Sequence, residues 1–246
     1  MNKYKLTLSY DGTHYSGWQA QANGVSIQTL VEQALGTALR AEVALIGSGR
    51  TDSGVHALAQ TAHFCVGGPV DLYRLLASLN GLLPRDIRVE RVEAAPHDFH
   101  ARYSAKSKTY FYHLHLESSH DPFKRLYSLH VPCPIDLALL RQAAGCFVGT
   151  HDFTSFTNEG GEVQDKVRTL FRLDVAEEPG GVRLEFEGDG FLYKMVRTIV
   201  GTLLEVASRK RALEEIPALF AAKDRRRAGP AAPAHGLFLV QVDYGV

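Results

Sequence analysis

Asp52 is the single carboxylate in the stretch Gly49-Arg50-Thr51-Asp52-Ser53-Gly54-Val55-His56-Ala57, which lies between two apolar runs that read as strands. Glycine permits backbone angles that a side chain forbids, so Gly49 and Gly54 suit a loop that turns sharply and lets a ligand come close. The nearby guanidinium of Arg50 favours an ionised carboxylate, which fits a nucleophile or charge stabiliser better than a proton donor. The same residue types also build ordinary capped turns. Two further residues stand out. Tyr110 lies in Lys108-Thr109-Tyr110-Phe111-Tyr112, where alternation puts Tyr110 and Tyr112 on one strand face, a common place for tyrosine. Arg197 sits among Met195, Val196, Ile199 and Val200, where an unpaired guanidinium is costly, so it should either find an anionic partner or snorkel over apolar surface.

Other patterns carry less chemistry. Gly47-Ser48-Gly49 opens like a dinucleotide loop, but Asp52 occupies the place of the third glycine and would repel a pyrophosphate. His97 and His100, His113 and His115, with Cys133 beyond, lack zinc-site spacing. Asp52-Ser53-Gly54 matches the triplet of aspartic peptidases, yet the preceding Gly49-Arg50-Thr51 is not an apolar strand, and arginine disfavours a shared proton.

The elements that must hold these residues follow from periodicity. Residues 3–10 alternate as a strand with Tyr4, Leu6, Leu8 and Tyr10 on one face, and Ser26 caps a helix striped by Ile27, Leu30, Val31, Ala34, Leu35, Ala38 and Leu39. Strands near 42–46 and 60–66, a helix near 70–79 and a strand near 86–94 complete a βαββαβ order, and the Asp52 loop joins the middle strands. The segment 94–107, with Pro96, reads as a linker. A second half repeats the order: strand 108–117, helix 136–147, strands 168–177 and 181–188 turned by Glu178-Pro179-Gly180-Gly181, helix 191–208 and strand 236–243, with an extra helix near 211–222. The expectation is an α+β protein of two ferredoxin-like halves, residues 1–100 carrying the Asp52 loop and residues 101–246 carrying Tyr110 and Arg197.

A chain of 246 residues with 45% apolar content can bury a large core. Three cysteines, Cys65, Cys133 and Cys146, with no CxxC pair point to a reducing cytoplasm, and no run reaches the eighteen or so apolar residues of a membrane span. The 27 basic residues balance 27 acidic ones, which by itself argues against a nucleic-acid binder. Basic residues nevertheless cluster at 102–125, 194–211 and 223–227, so local patches can attract phosphate despite overall neutrality.

The nine-residue loop closely resembles the signature of the tRNA pseudouridine synthase A family, with Ser53 where that family usually has alanine. Further blocks match in order: Phe99-His100-Ala101-Arg102-Tyr103-Ser104-Ala105, Lys108-Thr109-Tyr110, His151-Asp152-Phe153-Thr154-Ser155-Phe156, Phe191-Leu192-Tyr193-Lys194-Met195-Val196-Arg197 and Ala232-Pro233-Ala234-His235-Gly236-Leu237. The resemblance runs from Tyr10 to Tyr244. It implies two sheets joined around a central RNA-binding cleft and an isomerase that converts uridine to pseudouridine at tRNA positions 38, 39 and 40, without a cofactor and as a homodimer. It further implies that Asp52 is catalytic, that Tyr110 stacks on the extruded base, and that Arg197 pairs with Asp52. Arg50, Lys108, Lys223, Arg225 and Arg226 become RNA-binding candidates on the same ground. A silent RNA-binding module on this fold, or a relative with another uridine target, stays open; Tyr193-Lys194, where some relatives have histidines, keeps target choice unsettled.

Overall fold

The computed structural model describes residues 1–21, 24–158 and 163–245, and it is an α+β fold of strands and α-helices. The chain divides into two compact units, Met1–Lys106 with Phe238–Val246, and Ser107–Leu237.

In the first unit, β1 (Asn2–Tyr10) is flanked by β3 (His56–Val66) and β4 (Ile87–Ala95), both antiparallel to it. The alternation read in the sequence is the burial pattern: Tyr4, Leu6, Leu8 and Tyr10 are all buried. Helices α1 (Ile27–Leu39) and α2 (Leu72–Leu82) pack on each other, and α2 packs on β4. Ser26 caps α1 by accepting the Thr29 N–H, and Asp71 caps α2 by accepting that of Arg74. The strand expected near 42–46 is reduced to β2, Ile46–Gly47, paired to β3. β3 starts at His56, four residues before the expected 60, so it begins immediately after the Asp52 loop.

The last strand, β10 (Leu237–Asp243), was expected to close the second half, but from Phe238 it belongs with the first unit and runs parallel to β3, with Phe238 opposite His56 and Leu239 opposite Ala57. The segment after β4 folds back on this unit. Lys3 Nζ donates to the carbonyls of His97 and Phe99 at 2.6 Å each, Ala101 N–H donates to His63 Nδ1 at 3.1 Å, and Tyr244 hydroxyl donates to the Ala101 carbonyl at 2.8 Å.

In the second unit the sheet order is β5 (Ser107–His115), β9 (Gly181–Gly188), β8 (Val167–Glu178) and β7 (Gly149–Asp152), all antiparallel. A two-residue β6, Leu129–His130, lies along β5. Gly180 turns the β8–β9 hairpin with φ of 76°. Helices α3 (Leu137–Gly145) and α4 (Met195–Ala207) pack together, and α3 also packs on β8. α4 is buried nearly all round, as its Met, Val, Ile and Leu content requires. It begins at Met195 instead of the expected 191, because Lys194 adopts a left-handed φ of 58° and interrupts the helix. The extra helix is a 3-10 turn, Leu213–Glu215, followed by α5 (Ile216–Ala222).

Candidate active site

Asp52 is half-buried on the loop between β2 and β3, and the loop is fastened by residues from far along the chain. The Tyr10 hydroxyl at the end of β1 shares a 2.8 Å hydrogen bond with Thr51 Oγ1, and burial pushes that phenol's pKa up. Trp18 N–H donates to the Thr51 carbonyl at 3.1 Å, Ser53 Oγ donates to the Tyr15 carbonyl at 3.0 Å, and Val55 N–H closes the turn on the Asp52 carbonyl at 3.1 Å. Gln60 Nε2 donates to the Gly49 carbonyl at 2.9 Å while its Oε1 accepts from Ser48 Oγ at 2.6 Å.

Two glycines of the Tyr10–Trp18 segment allow this close approach. A Cβ on Gly12 would lie 2.0 Å from the Val55 carbonyl oxygen, and one on Gly17, where φ is 94°, would lie 2.4 Å from that of Thr51. Within the loop only Gly54 uses the left-handed region, with φ of 77°; Gly49 was expected to need it and does not. The backbone on either side of Asp52 is therefore fixed, which orients the side chain it carries. Exposed Arg50 donates from Nε to Gln19 Oε1 at 3.2 Å. His56, buried beyond the loop, accepts the Gly12 N–H on Nδ1 at 3.1 Å and stacks on Phe238 with centroids 4.6 Å apart.

The second unit carries the other expected site residues. Tyr110 is buried in β5 opposite Phe186, and its ring meets Phe191 edge-on at 4.9 Å. Lys108 begins the same strand opposite Gly188. Arg197, in the first turn of α4, is partly buried, and its Nε donates to the Ala232 carbonyl at 2.7 Å.

Lys223, Arg225 and Arg226 lie together on the turn after α5. Lys223, exposed, pairs with Asp152 at 2.7 Å. Burial raises the Asp152 pKa, but the hydrogen bonds from Lys223 and Thr154 outweigh it and the net direction is down. Arg226 is 90% exposed and grips Asp224 at 2.8 Å, which with the Arg226 backbone N–H lowers that carboxyl to about 2. Arg225 points inward: Nε donates to Asn158 Oδ1 at 3.0 Å and Nη1 to the Gly229 carbonyl at 3.0 Å.

The supports that sequence reasoning missed are Tyr10, Gly12, Gly17, Trp18 and Gln60 around Asp52, and Tyr112 below Arg197. The one available signal was the crowding of Gly and aromatic residues in Tyr10–Trp18. Among the described residues, no group of three or more His, Cys, Asp or Glu is arranged to hold a metal ion, and no helix is long and apolar enough to cross a membrane.

The fold is α+β, with the fastened acidic loop in the first unit and, in the second, a buried strand tyrosine and a helix-borne arginine. The family described as "tRNA pseudouridine synthase" matches residues 7–104 and 143–245. The chain is 59% identical to "tRNA pseudouridine synthase A 1" of Protochlamydia amoebophila (strain UWE25), covering 99% of this chain and 97% of that protein. It is 46% identical to "tRNA pseudouridine synthase A" of Bacillus pumilus (strain SAFR-032), covering 98% and 99%, and 44% identical to that of Lacticaseibacillus casei (strain BL23), covering 99% and 100%. The chain belongs to the tRNA pseudouridine synthase A family, a family of isomerases.

Proposed function

We propose that this protein isomerises uridine to pseudouridine in tRNA, at positions 38, 39 and 40 on the 3′ side of the anticodon stem-loop, with Asp52 as the catalytic carboxylate. Family membership along nearly the whole chain supports the reaction class. The observation that supports the residue assignment is the fastening of the Asp52 loop through Thr51, Ser53 and Gly49, whose hydrogen bonds fix the backbone that presents the carboxylate.

The reaction breaks the bond from ribose C1′ to uracil N1 and forms one from C1′ to C5; the C5 proton passes to solvent and N1 takes one up from it. Nothing is oxidised or added, so no cofactor is required. The enzyme must extract the base, hold it while detached, and meet the sugar or base with an anion. Asp52 is that anion. Tyr110 offers a flat ring for the extruded base, and stacking on an aromatic contributes about 1–3 kcal/mol, enough to offset much of the cost of flipping. Arg197 is assigned to the Asp52 carboxylate as its cationic partner.

Arg50, Lys108, Lys223 and Arg226 are assigned to the RNA backbone, and the inward-pointing Arg225 to the turn that presents them. The order β1-α1-β2-β3-α2-β4 of the first unit supports a ferredoxin-like plan there, and a second ferredoxin-like half and a homodimer acting in the cytoplasm complete the proposal. The test is release of tritium from tRNA labelled at uracil C5, with the modified position mapped. Release at 38–40 supports the proposal. Binding without release would make the chain a silent RNA-binding module, and release from another position would make it a synthase with a different target.

A further inference from the structure

Arg197 does not choose its own position. Its Nε–H donates to the Ala232 carbonyl at 2.7 Å, and its carbonyl accepts the Ala232 N–H at 2.9 Å, so one residue of the segment after the basic turn is locked to it from both sides. With Nε committed to a carbonyl, recognition of an anion falls to the terminal Nη groups, and their direction is set by where Ala232 stands.

What places Ala232 is a set of contacts spread along residues 228–236. Tyr112, fully buried two residues beyond Tyr110, donates its hydroxyl to the Pro233 carbonyl at 2.8 Å. Its ring lies so close to Gly236 that a Cβ there would come within 2.9 Å. At the other end, Gly229 N–H donates to Thr202 Oγ1 at 3.0 Å, and Thr202 in turn donates to the Thr198 carbonyl one turn back in α4 at 2.9 Å. Gly201 has no room for a side chain, since a Cβ would lie 1.7 Å from the Pro230 carbonyl oxygen. Arg225 closes the frame from outside through the carbonyls of Gly229, at 3.0 Å, and Ala228, at 3.4 Å. Burial raises the Tyr112 pKa, with a smaller opposing pull from the Arg197 charge, so the phenol keeps its proton and remains a donor.

We propose that Tyr112, through its hydroxyl on Pro233, is a positioning residue for Arg197, and that Arg225 is a second one acting through residues 228 and 229. This rests on the assignment of Arg197 to the reacting carboxylate. Tyr112 touches no substrate. Its hydroxyl fixes the carbonyl next to the one that holds the guanidinium, and loss of that hydroxyl lets Ala232 shift by a fraction of an ångström. Misplacement on that scale is felt in the chemical step more than in substrate binding.

The experiment compares kcat and KM for tritium release from C5-labelled tRNA in the wild type, Tyr112→Phe, Arg225→Gln, Arg197→Lys and the double variant Tyr112→Phe/Arg197→Lys, with thermal melts as the folding control. Tyr112→Phe should lower kcat about tenfold with KM within about twofold, the size of one lost hydrogen bond. Arg225→Gln, which serves if Tyr112→Phe folds poorly, should also lower kcat at constant KM. In the Arg197→Lys background, where the Nε contact is already gone, Tyr112→Phe should add less than about twofold.

Unchanged kcat in Tyr112→Phe, or equal losses in both backgrounds, overturns the positioning role and leaves the assignment of Arg197 intact. A raised KM with unchanged kcat in Arg225→Gln overturns its part and returns it to RNA contact. Full turnover in Arg197→Lys overturns the assignment of Arg197 itself, and the inference with it.

Discussion

Lowering the pH should destabilise this protein well above the range where carboxylates titrate, and His63 is the reason. It lies on β3 opposite Lys5, is 4% exposed, and accepts the Ala101 N–H on Nδ1 at 3.1 Å. The His100 ring is 4.8 Å away and Phe99 packs edge-on at 6.0 Å. Burial, then the charges of His100 and Lys3, lower its pKa from 6.5 to about 4. Protonation would also remove the acceptor that holds Ala101.

The sign follows from linkage. Between pH 6.5 and about 4 the unfolded chain binds a proton that the folded one refuses, so this contribution is complete above 6.5 and is lost as the pH falls toward 4. At about 1.4 kcal/mol per pH unit, that interval amounts to at most about 3 kcal/mol. The assay is urea unfolding of wild type and His63→Asn across pH 7.5 to 4, since Asn Oδ1 can still accept the Ala101 N–H. The variant's stability should fall less steeply through this window, by up to about 3 kcal/mol in total. Parallel curves would refute the reasoning, because Asp224 and the other lowered carboxylates contribute equally to both proteins and titrate lower.

Three further outcomes are expected. Gly17→Ala combines a left-handed φ of 94° with a Cβ 2.4 Å from the Thr51 carbonyl oxygen, so stability should drop by about 2–4 kcal/mol in thermal melts and tritium release should fall with it. Tyr10→Phe removes the 2.8 Å bond to Thr51, which should cost about 1 kcal/mol and lower kcat severalfold without changing tRNA affinity. Lys223→Gln breaks the 2.7 Å pair with Asp152 and should weaken tRNA binding, reducing the slope of log affinity against log salt by about one, as a titration at several salt concentrations would detect.

The legible parts of the chain were those whose signal is local. Alternation in Tyr4–Tyr10 and Val182–Phe186 gave strand faces, and Ser26 gave the start of α1, because a strand or cap is set by neighbours in sequence. β7 went unseen: Gly149-Thr150-His151-Asp152 has little intrinsic strand character and is a strand only because β8 offers it a register. The helical stripe before Met195 continued through Phe191 and Leu192, and only the left-handed Lys194 ends it.

The candidate site divides in the same way. Asp52 was visible from the composition of its own loop. The residues that fasten the loop were not, since Tyr10, Tyr15 and Trp18 meet it across some thirty to forty positions of sequence. Tyr112 was hidden by its ordinariness, as one more tyrosine on an alternating strand; its role depends on Pro233, 121 residues later. The pairing of β10 with β3 returns the chain end to the first unit, and no local pattern announces that.

The most direct test of the central claim is tritium release from C5-labelled tRNA by Asp52→Asn under single-turnover conditions, with enzyme above the tRNA concentration. The replacement keeps the side chain's size and removes its charge. Release should fall by about a thousandfold or more while tRNA affinity and melting temperature stay near wild type. Release at the wild-type rate from a folded, tRNA-bound Asp52→Asn protein would contradict the account.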